Sequence, residues 1–427
     1  MDNPFVRVNA APGDRCWYRR HALTQRCLIL VIAASSSVAC SEVAPEWSGT
    51  VEDSAGVAMV RNTDAGIWAP GGEWTFEEEL RIGALDGPEQ YVFGDVGGIA
   101  VDSRGRVFVL DSHAQQVQVY SAEGIFEGTV GGRGAGPGEL ELAWAPLMGP
   151  GDTLVVPDGR LQRLNLYAPD GSSEGSLRWD VERGRTMAFR TSPAGVIAEQ
   201  IRPVWDPTEP PTPGENPTDI IVLRALDGTA VDTLLEFPSG QMVGPGGVRV
   251  FAPEPRWDIA DDRRLLFGAG DRYRVHAYAG GRLARVITKP FDPRPVDDHE
   301  KEAIMGEMER RWEEARVPDQ MRALLRSRWS FADHYPAFQD LAFGPVGTVW
   351  VQRVKPASEL DETELRAWQD ARSPEWDVFD AQGRFLGLVT LPQRFRLLEI
   401  RGDKLYGVSL GDVDESYVVR LGVVGDL

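Results

Sequence analysis

Cysteine is nearly absent from this 427-residue chain, which contains only Cys16, Cys27 and Cys40. Because no cysteine follows residue 40, the body of the protein has no thiolate for a zinc site and no pair for an internal disulfide. The five histidines are scattered, and none of them forms the HExxH pattern of a zinc-binding helix. The sequence therefore predicts no catalytic residue and no metal ligand.

Basic residues are also scarce relative to acidic ones. The 45 lysines and arginines face 65 aspartates and glutamates, which gives a net charge of −20. A nucleic-acid surface needs a basic stripe, and the sequence has none. The negative balance also disfavours electrostatic docking on anionic lipid. We therefore expect no nucleic-acid partner, and contact with a membrane only through a lipid anchor.

The apolar run at residues 27–34 is too short to span a membrane comfortably. Arg19, Arg20 and Arg26 precede this run, and small residues follow it up to Cys40. A basic flank, a short apolar core and a small-residue exit together make up a secretory signal. The sequence predicts a signal peptide over residues 1–39, with a single-span anchor as the alternative.

Cys40 would be the first residue after this signal and the only cysteine of the mature chain. A cysteine directly after small residues resembles the bacterial lipoprotein pattern, which implies lipidation of Cys40 and transport to the outer membrane. Cleavage near Ala39 with simple secretion, for example into the periplasm, is the alternative. Residues 40–56 are rich in Ser, Pro, Gly, Glu and Asp and predict a flexible tether. In both cases we expect an exported protein of the cell envelope.

A polar turn that joins two apolar strands recurs along the rest of the chain. Its copies lie at residues 120–124, 167–171, 224–228, 278–281 and 379–383. Repeated hairpins of this kind are typical of propellers and solenoids. The clearest unit covers residues 97–130 and contains four strand patterns, which is the content of one propeller blade.

The sequence of this unit resembles a known repeat family. GIAVDSRGRVFVLD, starting at Gly98, and VQVYSAEGIFEGTVGGRGAGPGEL, starting at Val117, resemble NHL repeats. From residue 57 onward the chain resembles bacterial six-bladed propeller proteins, which implies an all-β fold of four-stranded antiparallel blades over residues 57–427. The last unit shows only three strands, so a strand from residues 57–60 or 73–76 is expected to complete it and close the ring.

Three long excursions interrupt the repeats, at residues 203–218, 291–335 and 355–376. The strand order of a blade places all three on one face of the propeller. The first is rich in proline and predicts a stiff loop. The second predicts a helical hairpin, because apolar residues recur at four-residue spacing, and the third is acidic and partly helical. Long loops on a rigid scaffold are where binding residues concentrate.

The candidate site residues are tryptophans of these insertions and polar residues near the ends of inner strands, where they would surround the mouth of the channel. They are Asp111, His113, Asp158, Arg202, Trp205, Trp312, Trp329, Arg353, Trp368 and Asp412. Each tryptophan could instead anchor its own insertion, and each polar residue could belong to a solvated or salt-bridged rim. No cofactor is predicted; Asp261 and Asp262 could bind calcium, although paired acids in a β-turn are usually only solvated.

These features favour a non-catalytic, lipid-anchored propeller that binds a protein or a glycan through its insertion-bearing face. The second hypothesis is a metal-dependent hydrolase or lyase, similar to propeller lactonases, with its site at the mouth of the central channel. The third is a structural scaffold of the envelope without a ligand.

Overall fold

The computed structural model describes residues 6–8, 46–179, 184–203, 217–227, 230–240, 243–244 and 247–425. Apart from residues 6–8, the predicted signal peptide lies outside this part of the chain, and so does Cys40. The strands form six blades around a central channel, and in each blade four antiparallel strands follow one another from the channel to the rim. The predicted six-bladed all-β propeller is therefore confirmed.

Four strands precede the first complete blade: β1 (Val6–Val8), β2 (Thr50–Ser54), β3 (Val57–Arg61) and β4 (Thr75–Ile82). Blade 1 contains β5 (Val96–Val101), β6 (Val107–Asp111), β7 (Gln116–Tyr120) and β8 (Phe126–Gly131). Blade 2 contains β9 (Leu147–Met148), β10 (Leu154–Asp158), β11 (Arg163–Tyr167) and β12 (Ser173–Arg178). Blade 3 contains β13 (Arg185–Thr191), β14 (Ile197–Arg202), β15 (Thr218–Arg224) and β16 (Ala230–Pro238).

The connection from blade 3 to blade 4 contains β17 (Val243–Gly244) and β18 (Gly247–Val250). Blade 4 contains β19 (Arg256–Ile259), β20 (Leu265–Gly268), β21 (Arg274–Ala279) and β22 (Arg282–Thr288). It is followed by α1 (Asp298–Glu314), α2 (Asp319–Ser327) and β23 (Trp329–Phe331). Blade 5 contains β24 (Asp340–Phe343), β25 (Val349–Gln352), α3 (Glu362–Arg366), β26 (Glu375–Phe379) and β27 (Phe385–Thr390). Blade 6 begins with β28 (Phe395–Arg401), β29 (Lys404–Leu410) and β30 (Ser416–Val424).

The ring is closed by β4, which is the fourth strand of blade 6. It pairs antiparallel with β30, and Ile82 lies opposite Val418. An N-terminal strand therefore completes the C-terminal blade, as the sequence predicts. Of the two predicted candidates, the segment near residues 73–76 closes the ring. The segment near residues 57–60 forms β3, which lies parallel to β22 at the outer edge of blade 4.

The predicted tether over residues 40–56 differs from the structure at its C-terminal end. Residues 50–54 form β2, which pairs antiparallel with β3. Ala55 and Gly56 make the turn between them, with φ values of 55° and 84°. Two successive residues with positive φ are typical of a tight type I′ hairpin. Every residue of β2 is exposed, so the strand has no apolar face that the sequence could reveal.

Apolar side chains fill the interface between each pair of neighbouring blades, in six separate clusters. In β6, Val107 and Val109 pack toward blade 6, whereas Phe108 and Leu110 pack toward blade 2. Successive side chains of a strand point to opposite faces of the sheet. A strand that is buried on both faces therefore needs a continuous apolar run, and this explains the unbroken apolar sequence of β6.

Short turns lie on one face of the ring, which we term the turn face. They connect the first strand to the second and the third to the fourth. Asp102 accepts hydrogen bonds from the backbone N–H groups of Arg104 and Arg106, at 2.9 and 2.8 Å. Asp380 accepts from the backbone N–H and Nε of Arg384, at 2.8 and 2.6 Å. Each aspartate thus stabilises its own turn through residues at most four positions away.

Candidate functional site: the insertion face and the central channel

The opposite face, which we term the insertion face, carries the connections from the second strand to the third and from each blade to the next. Its long segments are residues 203–217 in blade 3, 289–339 between blades 4 and 5, and 353–374 in blade 5. Residues 204–216 are outside the described part of the chain, and with them the predicted site residue Trp205. The other two segments contain the three α-helices of the described residues.

The predicted helical hairpin is present as α1 and α2, and α1 begins where the sequence indicates. Asp297 is the N-cap, and its Oδ1 accepts a hydrogen bond from the backbone N–H of Glu300 at 3.0 Å. An N-cap side chain satisfies one of the free N–H groups in the first turn of a helix. Asp297 and Glu300 have the spacing of a capping box, which would also need the Glu300 side chain to bind back to Asp297. Its carboxylate instead enters the interior of the insertion.

Glu300 joins three segments of the insertion face. Its Oε2 accepts hydrogen bonds from the Tyr335 hydroxyl at 2.7 Å and the Ser358 N–H at 2.8 Å. Its Oε1 accepts from the Ser358 hydroxyl at 2.8 Å. Burial by itself would raise the pKa of Glu300, but the hydrogen bonds from Tyr335 and Ser358 outweigh burial and lower that pKa. The ionised carboxylate therefore holds α1 against the start of blade 5 and its insertion.

The insertions share a hydrophobic core of their own. We term residues 247–252, 298–331 and 357–368 the insertion cap. Val250 and Ile304 are fully buried in its core. β18 pairs in parallel with β23, and α1 contacts α3. β18 is not among the predicted strands, although its sequence alternates apolar and basic side chains at Val248, Arg249 and Val250.

Three of the four predicted tryptophans, all but Trp205, lie inside the insertion cap. Trp312 and Trp329 pack edge to face with their ring centroids 6.2 Å apart, and Trp329 and Trp368 do so at 6.3 Å. Trp312 and Trp368 are buried, and Trp329 is half-buried. Edge-to-face pairs stabilise aromatic contacts beyond the burial of their area. These side chains therefore join the insertions to one another. This agrees with the alternative interpretation from the sequence, in which each tryptophan anchors its own insertion.

Two of the predicted aspartates hold the backbone of the insertion face. Asp111 accepts a hydrogen bond from the Ala114 N–H at 2.8 Å. Asp158 is fully buried and accepts from the N–H groups of Glu141 and Leu161, at 2.7 and 2.9 Å. Both carboxylates satisfy backbone donors in connections of the insertion face, which is a structural role.

The two predicted arginines form salt bridges inside their blades. Arg202 binds Asp219 on the neighbouring strand, with Nε 2.7 Å from Oδ1. Arg353 lies 2.9 Å from Asp377, and the same carboxylate receives the Lys289 ammonium at 3.1 Å and the Tyr273 hydroxyl at 2.6 Å. Both arginines thus belong to the salt-bridged rim that the sequence offers as their alternative interpretation.

The predicted placement of the polar residues around the channel mouth is wrong in one respect. The channel is lined by the first strand of every blade, whereas Asp111, Asp158, Arg202 and Arg353 follow or end second strands. His113 and Asp412 are exposed in connections of the insertion face. Apolar periodicity identifies strands, but it does not reveal how far each strand lies from the axis of the ring.

The central channel has a volume of about 610 Å³. Its walls come mainly from the first strands and the turns that follow them, at residues 97–99, 145–147, 189–191, 258–262, 340–347 and 396–400. Gln352, Arg372 and Trp376 of blade 5 add to the lining from outside its first strand. A volume of this size is typical of sites for small molecules. The lining combines charged side chains with the open backbone edges of the first strands, so the channel is suited to a polar ligand.

Asp258 is the channel residue with the most altered acidity. Burial raises its pKa to about 6, although a hydrogen bond from the Phe343 N–H at 2.7 Å acts in the opposite direction. Arg190 and Asp340 lie on the first strands of blades 3 and 5, on either side of blade 4, with their charged atoms 3.9 Å apart. A carboxyl group with a pKa near 6 exchanges its proton close to neutral pH, which is what proton transfer in a site requires.

The candidate calcium residues already have protein partners. Asp261 accepts a hydrogen bond from the Ala194 N–H at 2.6 Å, and Asp262 accepts from the N–H and Nε of Arg264 at 3.1 and 2.7 Å. Over the described ranges, no group of three His, Cys, Asp or Glu residues is placed to hold a metal ion. A Gly-x-Ser-x-Gly sequence at residues 171–175 covers the end of a hairpin turn and the start of β12, whereas the hydrolase motif requires a strand-to-helix turn.

Comparison with known proteins agrees with the repeat assignment. The NHL repeat family matches residues 93–120, which include the first three strands of blade 1. No protein of curated function matches the sequence at a significant level.

Solved structures that resemble this chain are propellers with very different sequences. A predicted exported protein of Bacteroides fragilis shares 11% identity and a TM-score of 0.50, over 86% of this chain and 99% of that one. A member of the DUF4221 family from Bacteroides vulgatus shares 11% identity and a TM-score of 0.51, over 83% and 99%. At such identities the likeness shows the fold alone. The chain is thus a six-bladed β-propeller that carries an NHL repeat in its first blade.

Proposed function

We propose that this protein is a lipid-anchored binding protein of the cell envelope that recognises a protein partner through α2 of the insertion cap. The observation that carries this proposal is the exposure of α2, in which no residue is buried. Met321 and Leu324 are each 49% exposed on this helix. An amphipathic helix in a folded protein normally buries its apolar stripe, so this stripe is available to a partner.

The charge around α2 indicates the chemistry of the partner. Residues 316–328 contain four arginines and one aspartate in a chain of −20. Arg322 and Arg326 pair with acidic side chains of α1 and α2, which leaves Arg316 and Arg328 as the arginines of this segment without a salt bridge to a described residue. A partner that presents apolar side chains surrounded by acidic ones would be complementary to this surface.

A protein partner fits the insertion cap better than a glycan. Glycan sites depend on aromatic rings whose faces are open to solvent. Trp312 and Trp368 are instead buried against their neighbours in the cap. The exposed groups of α2 are aliphatic, and an amphipathic helix that docks by its apolar side is a common mode of protein recognition.

The experiment compares copurification of envelope proteins with the wild-type chain, Met321→Glu/Leu324→Glu and the control Ile125→Glu. Ile125 is 53% exposed in a turn of the turn face, so the control adds a charge of the same kind on the opposite side. After crosslinking in the native host, we expect at least one protein to be captured by the wild type and the control and lost with the double variant.

Three outcomes would overturn the proposal. The double variant could capture the same proteins as the wild type. The lost species could be a crosslinked dimer of this chain, which would identify a second copy as the occupant. The purified protein could bind vesicles containing phosphatidylglycerol and lose that binding in the double variant, which would identify a membrane surface. Thermal unfolding of all three proteins verifies that they are folded.

Export and anchoring form a separate part of the proposal. The signal at residues 1–39 and the position of Cys40 support it. In the described part of the chain, no helix is both long enough and apolar enough to cross a membrane. We expect Cys40→Ala to move the protein from the membrane fraction to the soluble fraction of the envelope. An unchanged membrane fraction would contradict lipidation at this residue.

A further inference from the structure

Three arginines near the insertion-face end of the channel donate hydrogen bonds only to backbone carbonyl groups. Arg256 Nε donates to the Gln339 carbonyl at 2.6 Å. Arg372 Nη1 donates to the carbonyl groups of Gln369 and Ala371, at 2.9 and 3.0 Å. The contact of Arg396 with a carbonyl is longer, at 3.5 Å. Across the residues that the structure describes, none of the three forms a salt bridge.

These arginines come from different connections, and Arg256 and Arg396 both lie within electrostatic range of Arg372. Arg256 begins the first strand of blade 4, Arg372 ends the insertion of blade 5, and Arg396 follows the first residue of β28 in blade 6. Burial lowers the pKa of Arg372, and the charges of Arg256 and Arg396 lower it further, whereas Asp340 and Asp370 raise it. The insertion-face end of the channel is therefore a positive region in a strongly acidic protein.

A second, independent feature points to a ligand at the same place. Trp376 lines the channel and is only 3% exposed, yet its Nε1 has no hydrogen-bond acceptor among the described residues. A buried donor without an acceptor destabilises the folded protein. By contrast, the indole Nε1 of Trp257 in blade 4 donates to the Gln200 side chain at 2.8 Å. An acceptor placed in the channel would satisfy the indole of Trp376.

We propose that the insertion-face end of the channel binds a small organic molecule with an anionic oxygen group, either a carboxylate or a phosphate. Arg372 and Arg396, which both line the channel, hold the anionic oxygens. The Trp376 indole donates the remaining hydrogen bond, and Arg256 adds positive charge behind Gln339. This site is independent of the proposed partner surface on α2.

The geometry indicates that these arginines bind a small anion and do not have a purely structural role. Guanidinium groups stay charged at all relevant pH values and match the oxygens of carboxylates and phosphates with parallel hydrogen bonds. The channel volume of about 610 Å³ leaves room for a molecule of monosaccharide size. Asp258 and Glu399 lie further along their strands toward the turn face, so the neutral part of the ligand would extend toward them.

Calorimetric titration of the purified protein with three probes tests this proposal. The probes are glucuronate, glucose 6-phosphate and glucose, which present a carboxylate, a phosphate and no charge on a similar ring. We expect at least one anionic probe to bind and glucose not to bind. The anion that binds more tightly shows whether the natural ligand presents a carboxylate or a phosphate.

Matched variants locate the site. Arg372→Gln/Arg396→Gln should weaken binding of the anionic probe at least about tenfold, because charge-assisted hydrogen bonds are lost. Trp376→Phe keeps the ring, removes only the donor and should weaken binding about fivefold. The control is Arg104→Gln, which replaces an exposed arginine on the turn face. This variant should bind the anionic probe like the wild type.

Several results would overturn the proposal. One is equal binding of glucose and the anions. A second is unchanged affinity in the double variant. A third is no heat with either anion at about 10 mM, a concentration that detects a millimolar Kd. A fourth is a loss of affinity in Arg104→Gln as large as that in the double variant. Such a result would mean that overall charge, and not this site, determines binding.

Discussion

The two faces of the propeller use carboxylates differently. On the turn face, the partners of Asp102 and Asp380 lie within four residues along the chain. On the insertion face, Asp377 binds Arg353, Lys289 and Tyr273, which are 24, 88 and 104 residues away. Asp102 and Asp380 therefore depend on local sequence, whereas Asp377 depends on contacts that form only when blades 4 and 5 pack together.

The difference has an energetic consequence. A local aspartate in a turn competes with water for its partners, because the turn is close to the surface even in the folded state. A carboxylate that joins distant segments is buried with several charged or polar groups, and its removal leaves them without a counterpart. We therefore expect substitutions on the insertion face to have larger effects than chemically equivalent ones on the turn face.

The largest effect is expected for Asp377→Ala. Lys289 and Asp377 are almost completely buried, so this change leaves a buried ammonium without its carboxylate. Breaking a buried pair in this way costs about 3–5 kcal/mol of stability. Urea unfolding followed by tryptophan fluorescence measures the loss. Asp412→Ala, in an exposed turn of the same face, is the control for loss of a carboxylate at the surface and should stay within about 0.5 kcal/mol of the wild type; equal losses in both variants would show that the buried salt bridge is not the cause.

Asp258→Asn should stabilise the protein at pH 7. The pKa of Asp258 rises from 3.8 to about 6 on folding because the group is buried. The contribution of Asp258 to the free energy of unfolding is therefore most favourable below pH 3.8, and it is lost as the pH rises through about 6. The amide removes this penalty, so we expect a gain of up to about 3 kcal/mol at pH 7. The two proteins should be equally stable near pH 3; a constant difference at every pH would rule out titration of Asp258.

Glu300→Gln should destabilise the insertion cap by about 1–3 kcal/mol, because the amide replaces one of the acceptor oxygens. Hydrogen exchange of residues 298–331 measures this loss, and blade 1 serves as the internal reference. The lowered pKa of Glu300 means that its contribution is present above pH 4.5 and is lost as the pH falls through the folded value. The difference from the wild type should therefore shrink in acid. Equal protection of the cap in both proteins at pH 7 would contradict the role of Glu300.

Asp380→Ala is expected to have the smallest effect. It removes an acceptor from one turn of the turn face, where water can replace the lost hydrogen bonds, so we expect a loss of about 1 kcal/mol. The same urea unfolding experiment applies, and Asp380→Asn should recover part of the loss because the amide oxygen still accepts. A loss as large as that of Asp377→Ala would erase the distinction between the two faces.

Particular residues show which features could be predicted from the sequence. The alternation of Val107, Phe108, Val109 and Leu110 requires a strand that is buried on both faces, and this is how β6 lies between two blades. Asp297 indicates the start of α1 because an N-cap is a local interaction. By contrast, the sequence placed Asp111 and Asp158 around the channel, although the first strands line it.

The channel site was missed for a physical reason. Arg256, Arg372 and Arg396 are far apart in the sequence, and no motif connects them with Trp376. Their proximity follows from the circular arrangement of blades 4, 5 and 6. A pattern within one chain segment does not encode that arrangement.

By itself the sequence determined the repeated four-stranded blades, the turn residues that join their strands and the closure of the ring. These features depend on side-chain alternation and on hydrogen bonds between near neighbours in the chain. Only the tertiary structure decided which residues line the channel, how the tryptophans pack in the insertion cap and which arginines form no salt bridge. These properties depend on distances between segments, and such distances are set when the six blades pack against one another.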